Sequence, residues 1–161
     1  MNKITPFLWF NDNAEEAMEF YKSVFKNTKQ GPVSRYAEGS AEFTGRPAGS
    51  VMVGELELEG LKFSFLNGGP VFTFTEATSF VISCEDQAEV DYYWEKLLEG
   101  GVASQCGWLK DKFGVSWQVT PKEMGEILSD PDPERARKVM SAMLTMTKLD
   151  IQVLKDAKER A

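Results

Sequence analysis

The 161-residue sequence predicts an α+β protein built from two tandem βαβββ modules with additional C-terminal helices. Three observations carry this reading. A pattern of strand, stop and amphipathic helix occurs twice, 73 residues apart. Each copy runs on into segments where apolar and polar residues alternate, which is the period of a half-buried strand. Beyond Pro121 the pattern changes to helical spacing.

In the first module, Ile4-Thr-Pro-Phe-Leu-Trp-Phe10 reads as a buried strand, and Asn11-Asp-Asn13 stops it. From Ala14 to Phe25 the apolar residues fall at Ala17, Phe20, Tyr21, Val24 and Phe25, one face of a helix. Asn13 and Glu16 have the spacing of a capping box. Gly39 to Ser50 is rich in Gly, Ser and Pro and reads as a loop. Val51 to Glu59 alternates apolar and acidic residues, Gly60 allows a tight turn, and Leu61, Phe63 and Phe65 then alternate with Lys62 and Ser64.

The second module repeats this order. Thr78-Ser-Phe-Val-Ile-Ser-Cys84 is the strand and Glu85-Asp-Gln87 the stop. The helix carries Val90, Tyr93, Trp94, Leu97 and Leu98 and ends at Gly100-Gly101. Each of these five residues lies 73 positions beyond its counterpart, and so do Asp86 and Glu89 relative to Asn13 and Glu16. The same spacing equates Thr5 with Thr78 and Phe7 with Phe80. Val102 to Leu109 leads into Asp111-Lys-Phe-Gly114, with Asp and Gly where a type I turn favours them. Val115, Trp117 and Val119 then alternate with Ser116 and Gln118. Ser64-Phe65 and Ser116-Trp117 thus occupy equivalent positions.

After Pro121, Lys122 to Leu128 reads as a short helix, broken by Asp130-Pro-Asp-Pro133. A further helix carries Ala136, Val139, Met140, Met143 and Leu144 on one face. Asp150 to Ala161 reads as a charged helix with Ile151 and Leu154 inward. The expected organisation is a domain over 1–121, made of halves at about 3–70 and 77–121, and a helical extension over 122–161.

Composition narrows the function. The net charge is −7 with no basic cluster, which argues against a nucleic-acid partner. No apolar run approaches the ~20 residues that span a membrane, and Met1 to Thr5 leads straight into a strand with no signal peptide. Cys84 and Cys106 do not have a metal-binding spacing. A reduced, cytoplasmic protein is the expectation. The apolar fraction of 42% supplies a core without disulfide or metal, and 11 Phe, 4 Trp and 4 Tyr can also line a pocket. There is no histidine, which removes the commonest general base and a principal zinc ligand.

Several motifs together are similar to one known family. They are Pro6-Phe-Leu-Trp-Phe10, Ala14-Glu-Glu-Ala17 with Phe20-Tyr21, Leu66-Asn-Gly-Gly-Pro70, Gly107-Trp-Leu-Lys-Asp111, Phe113-Gly-Val-Ser-Trp-Gln118, and Val139-Met-Ser-Ala-Met-Leu with Lys148-Leu-Asp150. The chain resembles the PhnB-like branch, labelled 3-demethylubiquinone 3-methyltransferase, of the glyoxalase/bleomycin-resistance/extradiol-dioxygenase, or vicinal oxygen chelate, superfamily. The resemblance implies a glyoxalase-like fold whose strands curl into half-barrels, with a ligand on the concave surface and frequently a homodimer. The methyltransferase label conflicts with the sequence, because no GxGxG occurs and no alternating β and α units are present to hold S-adenosylmethionine.

The resemblance also implies metal positions near Pro6, Leu66, Ser79 and Gln118, or Thr5 and Thr78 if the first strand of each half slips by one. None is a histidine, cysteine or carboxylate, the donors that divalent ions require. The acidic Glu55-Leu-Glu-Leu-Glu59 alternates with leucine and reads as a solvated strand face. We therefore expect no metal and no cofactor.

For ligand contacts, Trp117 and Phe65 are expected to pack under the helices. Their neighbours Ser64, Leu66, Ser116 and Gln118 then face the concave surface, with Gln118 the first polar candidate. Trp108 is a candidate pocket wall together with Trp9. Cys106 is a candidate pocket thiol against the plainer reading of a buried cysteine, and Cys84 reads as core. Arg35 could clamp an anion, against a solvated or ion-paired arginine. Asp111 reads as a turn residue, and Met140, Met143 and Met146 as core or a dimer contact. The functional expectation is a metal-free binder of a small, partly apolar organic molecule. The alternatives are a superfamily lyase, isomerase or dioxygenase with atypical ligands, and a structural or regulatory dimer with a vestigial pocket.

Overall fold

A computed structural model describes residues 2–160. The chain forms two compact units, the first running to Phe74 and the second starting at Thr75. In the first unit, β1 (Phe7–Phe10) leads to α1 (Ala14–Val24), β2 (Thr28–Arg35), a single helical turn α2 (Ala41–Thr44), β3 (Val51–Leu58) and β4 (Leu61–Asn67). The sheet order is β1-β4-β3-β2, with β1 parallel to β4 and the other pairs antiparallel. The second unit contains β5 (Ser79–Cys84), α3 (Gln87–Leu98), β6 (Val102–Ala103), β7 (Trp108–Lys110) and β8 (Ser116–Pro121). Its order, β5-β8-β7-β6, and its strand directions repeat the first sheet. The unit also includes α4 (Met124–Leu128), α5 (Pro133–Leu144) and α6 (Ile151–Glu159).

The predicted helix faces are the buried ones. α1 buries Ala14, Ala17, Met18, Phe20, Tyr21 and Val24, and α3 buries Val90, Tyr93, Trp94 and Leu97. Full burial of one large apolar side chain contributes about 1.5–3 kcal/mol, so each face is enough to seat its helix. On the strands, Phe65 stacks against Phe10 and lies against Tyr21, while Trp117 packs on Phe80. Both aromatics are core, as their alternation predicts.

Four expectations need correction. First, the strand at the start begins at Phe7, not Ile4, since Pro6 cannot donate to a ladder, and Ile4 is 84% exposed. Second, the constant spacing fails in the first strands. Ser64 pairs with Phe7 and its equivalent Ser116 with Ser79, so those strands are related by 72 residues while the helices stay 73 apart. The second module takes up the extra residue between strand and helix. Phe80, packed on Trp117, therefore matches the buried Leu8, and not Phe7, which is 58% exposed.

Third, Asn13 makes no side-chain cap bond. The Ala14 N–H instead donates to Asn67 Oδ1 at 2.9 Å. In the second module the cap does form: Asp86 accepts from the Glu89 N–H at 2.9 Å, and Glu89 accepts from the Glu85 N–H at 2.6 Å. Fourth, α5 turns only part of its proposed face inward. Val139 is fully buried and Met143 packs with it, whereas Met140 and Leu144 are exposed. Met124, Ile127, Leu149 and Leu154 complete that cluster, with Met146 against it. The loop over 39–50 also contains the turn α2.

Candidate functional site

Register places a set of polar and aromatic residues on one face of the second sheet. Trp108 lies opposite Gln118 and Lys110 opposite Ser116. On the other side of β8, Ser116 lies opposite Ser79 and Gln118 opposite Val81. Since side chains alternate along a strand, all six share a face, and Leu109, Trp117 and Val119 turn the other way into the core.

Gln118 Nε2 donates to Ser79 Oγ at 2.9 Å. These are the two positions of this module where the resemblance implied metal ligands. In the first module the positions matched by register are Phe7 and Leu66. Module 2 thus offers a neutral amide bonded to a hydroxyl at these positions and module 1 two apolar side chains, and neither pair fits a divalent cation. Among the described residues no three Cys, Asp or Glu side chains lie close enough to hold a metal ion.

Beside this pair is a cavity of about 210 Å³. Glu76, Val102, Ser104, Trp108, Lys110 and Ser116 line it. The Lys110 ammonium is ion-paired with the Glu76 carboxylate, and this partner holds the Glu76 carboxyl below its usual range. Ser116 is buried, yet its Oγ finds no hydrogen-bond partner within the protein. A buried, unpaired hydroxyl costs about 1–3 kcal/mol and is therefore a group that calls for an explanation.

Asp111 is structural. Its Oδ1 accepts from the Phe113 and Val115 N–H groups at 2.9 and 3.0 Å, and its Oδ2 accepts from Trp117 Nε1 at 2.9 Å. It ties the β7–β8 turn to the core tryptophan, in agreement with the turn reading. Cys106 occupies the left-handed region at φ 58°, and its N–H donates to the Met146 carbonyl. It contributes to the seat of the C-terminal segment and does not line the cavity. Cys84 is core; its thiol is pushed up to about 12 by burial first and then by the Glu89 and Asp86 carboxylates, which leaves it unreactive near neutral pH.

In the first module, Ser64 and Leu66 share the face opposite Phe65, and Ser64 is buried. Trp9 covers Gly68, where a Cβ would lie 2.3 Å from the indole, and its Nε1–H donates to the Gly69 carbonyl at 2.9 Å. Phe72 meets the Trp9 ring edge-on. Arg35 donates to the Gly49 carbonyl at 2.9 Å, so its guanidinium secures the 39–50 loop. Sequence reasoning missed Glu76 and Lys110 as cavity residues. The alternation of Trp108 and Lys110 about the buried Leu109 was the signal for Lys110.

Tandem βαβββ modules of this order, with parallel first and last strands, define a member of the glyoxalase/bleomycin-resistance, or vicinal oxygen chelate, superfamily. Residues 2–120 match the family model described as 3-demethylubiquinone-9 3-methyltransferase, and the chain belongs to that family, the PhnB-like branch. Among solved structures, a PhnB protein from Bacillus cereus that carries the same methyltransferase name is 36% identical. That match covers 74% of this chain and 99% of that one, with a TM-score of 0.65. Protein PA1353 from Pseudomonas aeruginosa is 20% identical over 75% of this chain and 98% of its own, TM-score 0.55. The fosfomycin resistance protein FosX from Mesorhizobium loti is 14% identical over 80% and 99%, TM-score 0.55. These last two share the fold alone. No curated protein matches the chain.

The family name describes a chemistry that the fold does not house in the usual way. Gly68-Gly69 runs into coil and Gly100-Gly101 closes α3, so neither pair opens a helix. Each sheet has one parallel pair at its edge, not a doubly wound parallel array. Among the described residues no helix is long and apolar enough to cross a membrane.

Proposed function

We propose that the chain binds a small, partly apolar organic molecule on the face of the β5–β8–β7 sheet that carries Gln118, without a metal. The observation that carries this reading is the Gln118–Ser79 hydrogen bond. It pairs neutral groups at the positions where relatives in the superfamily would ligate an ion, next to a cavity walled by Trp108. A ligand there meets an aromatic surface, an amide and a hydroxyl, a typical mixture for small-molecule sites. Binding as a homodimer is part of the proposal and is checked by light scattering.

The test is metal analysis of untagged protein, followed by a thermal-shift screen of small aromatic and polar compounds. The expected result is no stoichiometric metal, no change in melting temperature on chelation, and at least one compound that raises it. Gln118→Leu is expected to keep the apo melting temperature and to lose that rise. A stoichiometric metal whose removal lowers stability would overturn the reading in favour of a superfamily enzyme.

A further inference from the structure

The geometry points to a particular ligand class for the module 2 cavity: a compact molecule with a flat apolar ring and a single carboxylate, which takes the place of Glu76 on Lys110. This inference rests on the small-molecule reading above and specifies its chemistry.

Four features converge on it. Lys110 already holds a carboxylate, that of Glu76. The two partners are not equally fixed: Lys110 is borne by β7, whereas Glu76 comes from the turn before β5 and its side chain is 64% exposed. Exchange of Glu76 for a ligand carboxylate keeps the half-exposed ammonium paired, and the released Glu76 carboxylate is taken up by solvent. A singly charged group matches a singly charged group, which favours a carboxylate over a dianion.

Ser116 supplies the second contact. It is the register partner of Lys110, it is 2% exposed, and its Oγ is unpartnered within the protein. The Glu76 carboxylate sits on Lys110 without meeting that hydroxyl; a ligand carboxylate that reaches further into the cavity gives the Ser116 O–H an acceptor. Trp108 supplies the third. It stands two residues from Lys110 on the same strand face, about 7 Å along the strand, roughly the length of a ring with a carboxylate. Val102 adds an apolar wall. Size is the fourth. A cavity of about 210 Å³ is smaller than the roughly 300–1,000 Å³ typical of drug-sized ligands, and suits one ring with a short substituent.

The test uses fluorine NMR with the full chain and three probes: 4-fluorobenzoate, the neutral 4-fluorobenzamide and the cationic 4-fluorobenzylamine. The benzoate is expected to bind in preference to the other two. Glu76→Gln removes the internal competitor and is expected to tighten benzoate binding about threefold, while Lys110→Met weakens it about fivefold. Ser116→Ala is expected to weaken it about threefold with a melting temperature no lower than that of the parent. Equal binding of the benzamide, with no response to Glu76→Gln, overturns the carboxylate assignment and leaves the small-molecule reading standing. Preference for the benzylamine, lost in Glu76→Gln, assigns the site to a cation and overturns the proposal. If none of the probes and no compound of the thermal-shift screen binds, the small-molecule reading falls, and this inference with it.

Discussion

In module 1 the first amide of α1 is held by Asn67, which reaches it from the end of β4 across 53 residues of sequence. In module 2 it is the third amide of α3, that of Glu89, which is held, by Asp86 immediately before the helix. The strand order is the same in both, yet the polar anchor has moved. Asn67 also donates to the Val51 carbonyl at 3.1 Å and to Glu15 Oε1 at 2.5 Å, and its own carbonyl accepts from the Tyr36 hydroxyl at 2.5 Å. It pins helix, sheet and loop together. The matching position in module 2 is Val119, wholly buried, and the corresponding task falls to Asp111, which secures the turn and Trp117. Gln118, Ser79, Lys110 and Ser116 lie on the other face of the module 2 sheet. A duplicated fold can keep its topology while the polar anchor of each copy moves.

This contrast can be broken or sharpened by substitution, beginning with the largest effect. Asp111→Ala removes a buried carboxylate that accepts three hydrogen bonds and is expected to cost about 3–4 kcal/mol in urea unfolding, with a changed Trp117 signal in near-ultraviolet circular dichroism. A loss under about 1 kcal/mol would show that module 2 does not depend on this anchor. Asn67→Val copies module 2 into module 1 and strands the Ala14 amide and the Val51 carbonyl. A loss of about 2–3 kcal/mol is expected, whereas a neutral result would mean that the Asn67 network is dispensable. The two helix starts give a smaller and more direct comparison. Asp86→Ala is expected to cost about 1 kcal/mol and Asn13→Ala less than about 0.5 kcal/mol, by the same denaturation measurement. Equal losses would contradict the difference in capping.

The smallest effect concerns pH. The Asp130 carboxyl lies below its ordinary range because it accepts from the Asp132 N–H and faces Lys158 and Arg135. Its contribution is present at neutral pH and declines as pH falls through the depressed value. The urea midpoint of Asp130→Asn is therefore expected to fall less than that of the parent between pH 5 and pH 3. Parallel titrations of the two proteins would remove Asp130 from the account.

Much of the fold was legible because it rests on local periodicity. The faces of α1 and α3, the alternation that buries Phe65 and Trp117, and the Asp111 turn are all signals within a few residues. What escaped depends on pairing at a distance. Nothing near Asn13 tells that its capping task belongs to Asn67. The one-residue slip between the first strands was hidden because both strands offer apolar residues on both faces, Phe7 and Trp9 against Leu8 and Phe10, so that either phase looks acceptable. The candidate site divides in the same way. Ser116 and Gln118 could be placed on one face from alternation alone, while the Glu76–Lys110 pair joins residues that only the fold brings together.

Gly107 carries a consequence for synthesis of the chain. At φ 82° it donates its N–H to the Thr147 carbonyl, and its own carbonyl accepts from the Val119 N–H. A Cβ there would come within 2.8 Å of the Val119 carbonyl oxygen and 3.0 Å of Leu149. Residues 146–149 are thus stitched to the rim of a sheet whose last strand ends at Pro121. On the ribosome, β1 to β4 and the Asn67 network are complete once Asn67 has emerged, whereas the second sheet waits for a strap encoded some distance downstream. Vectorial folding is accordingly expected to leave module 2 open while module 1 is already closed. Protease digestion of nascent chains arrested beyond Pro121 but short of Met146 should find the second half cleavable and the first half protected; equal protection of both halves would show that the strap is not needed for closure.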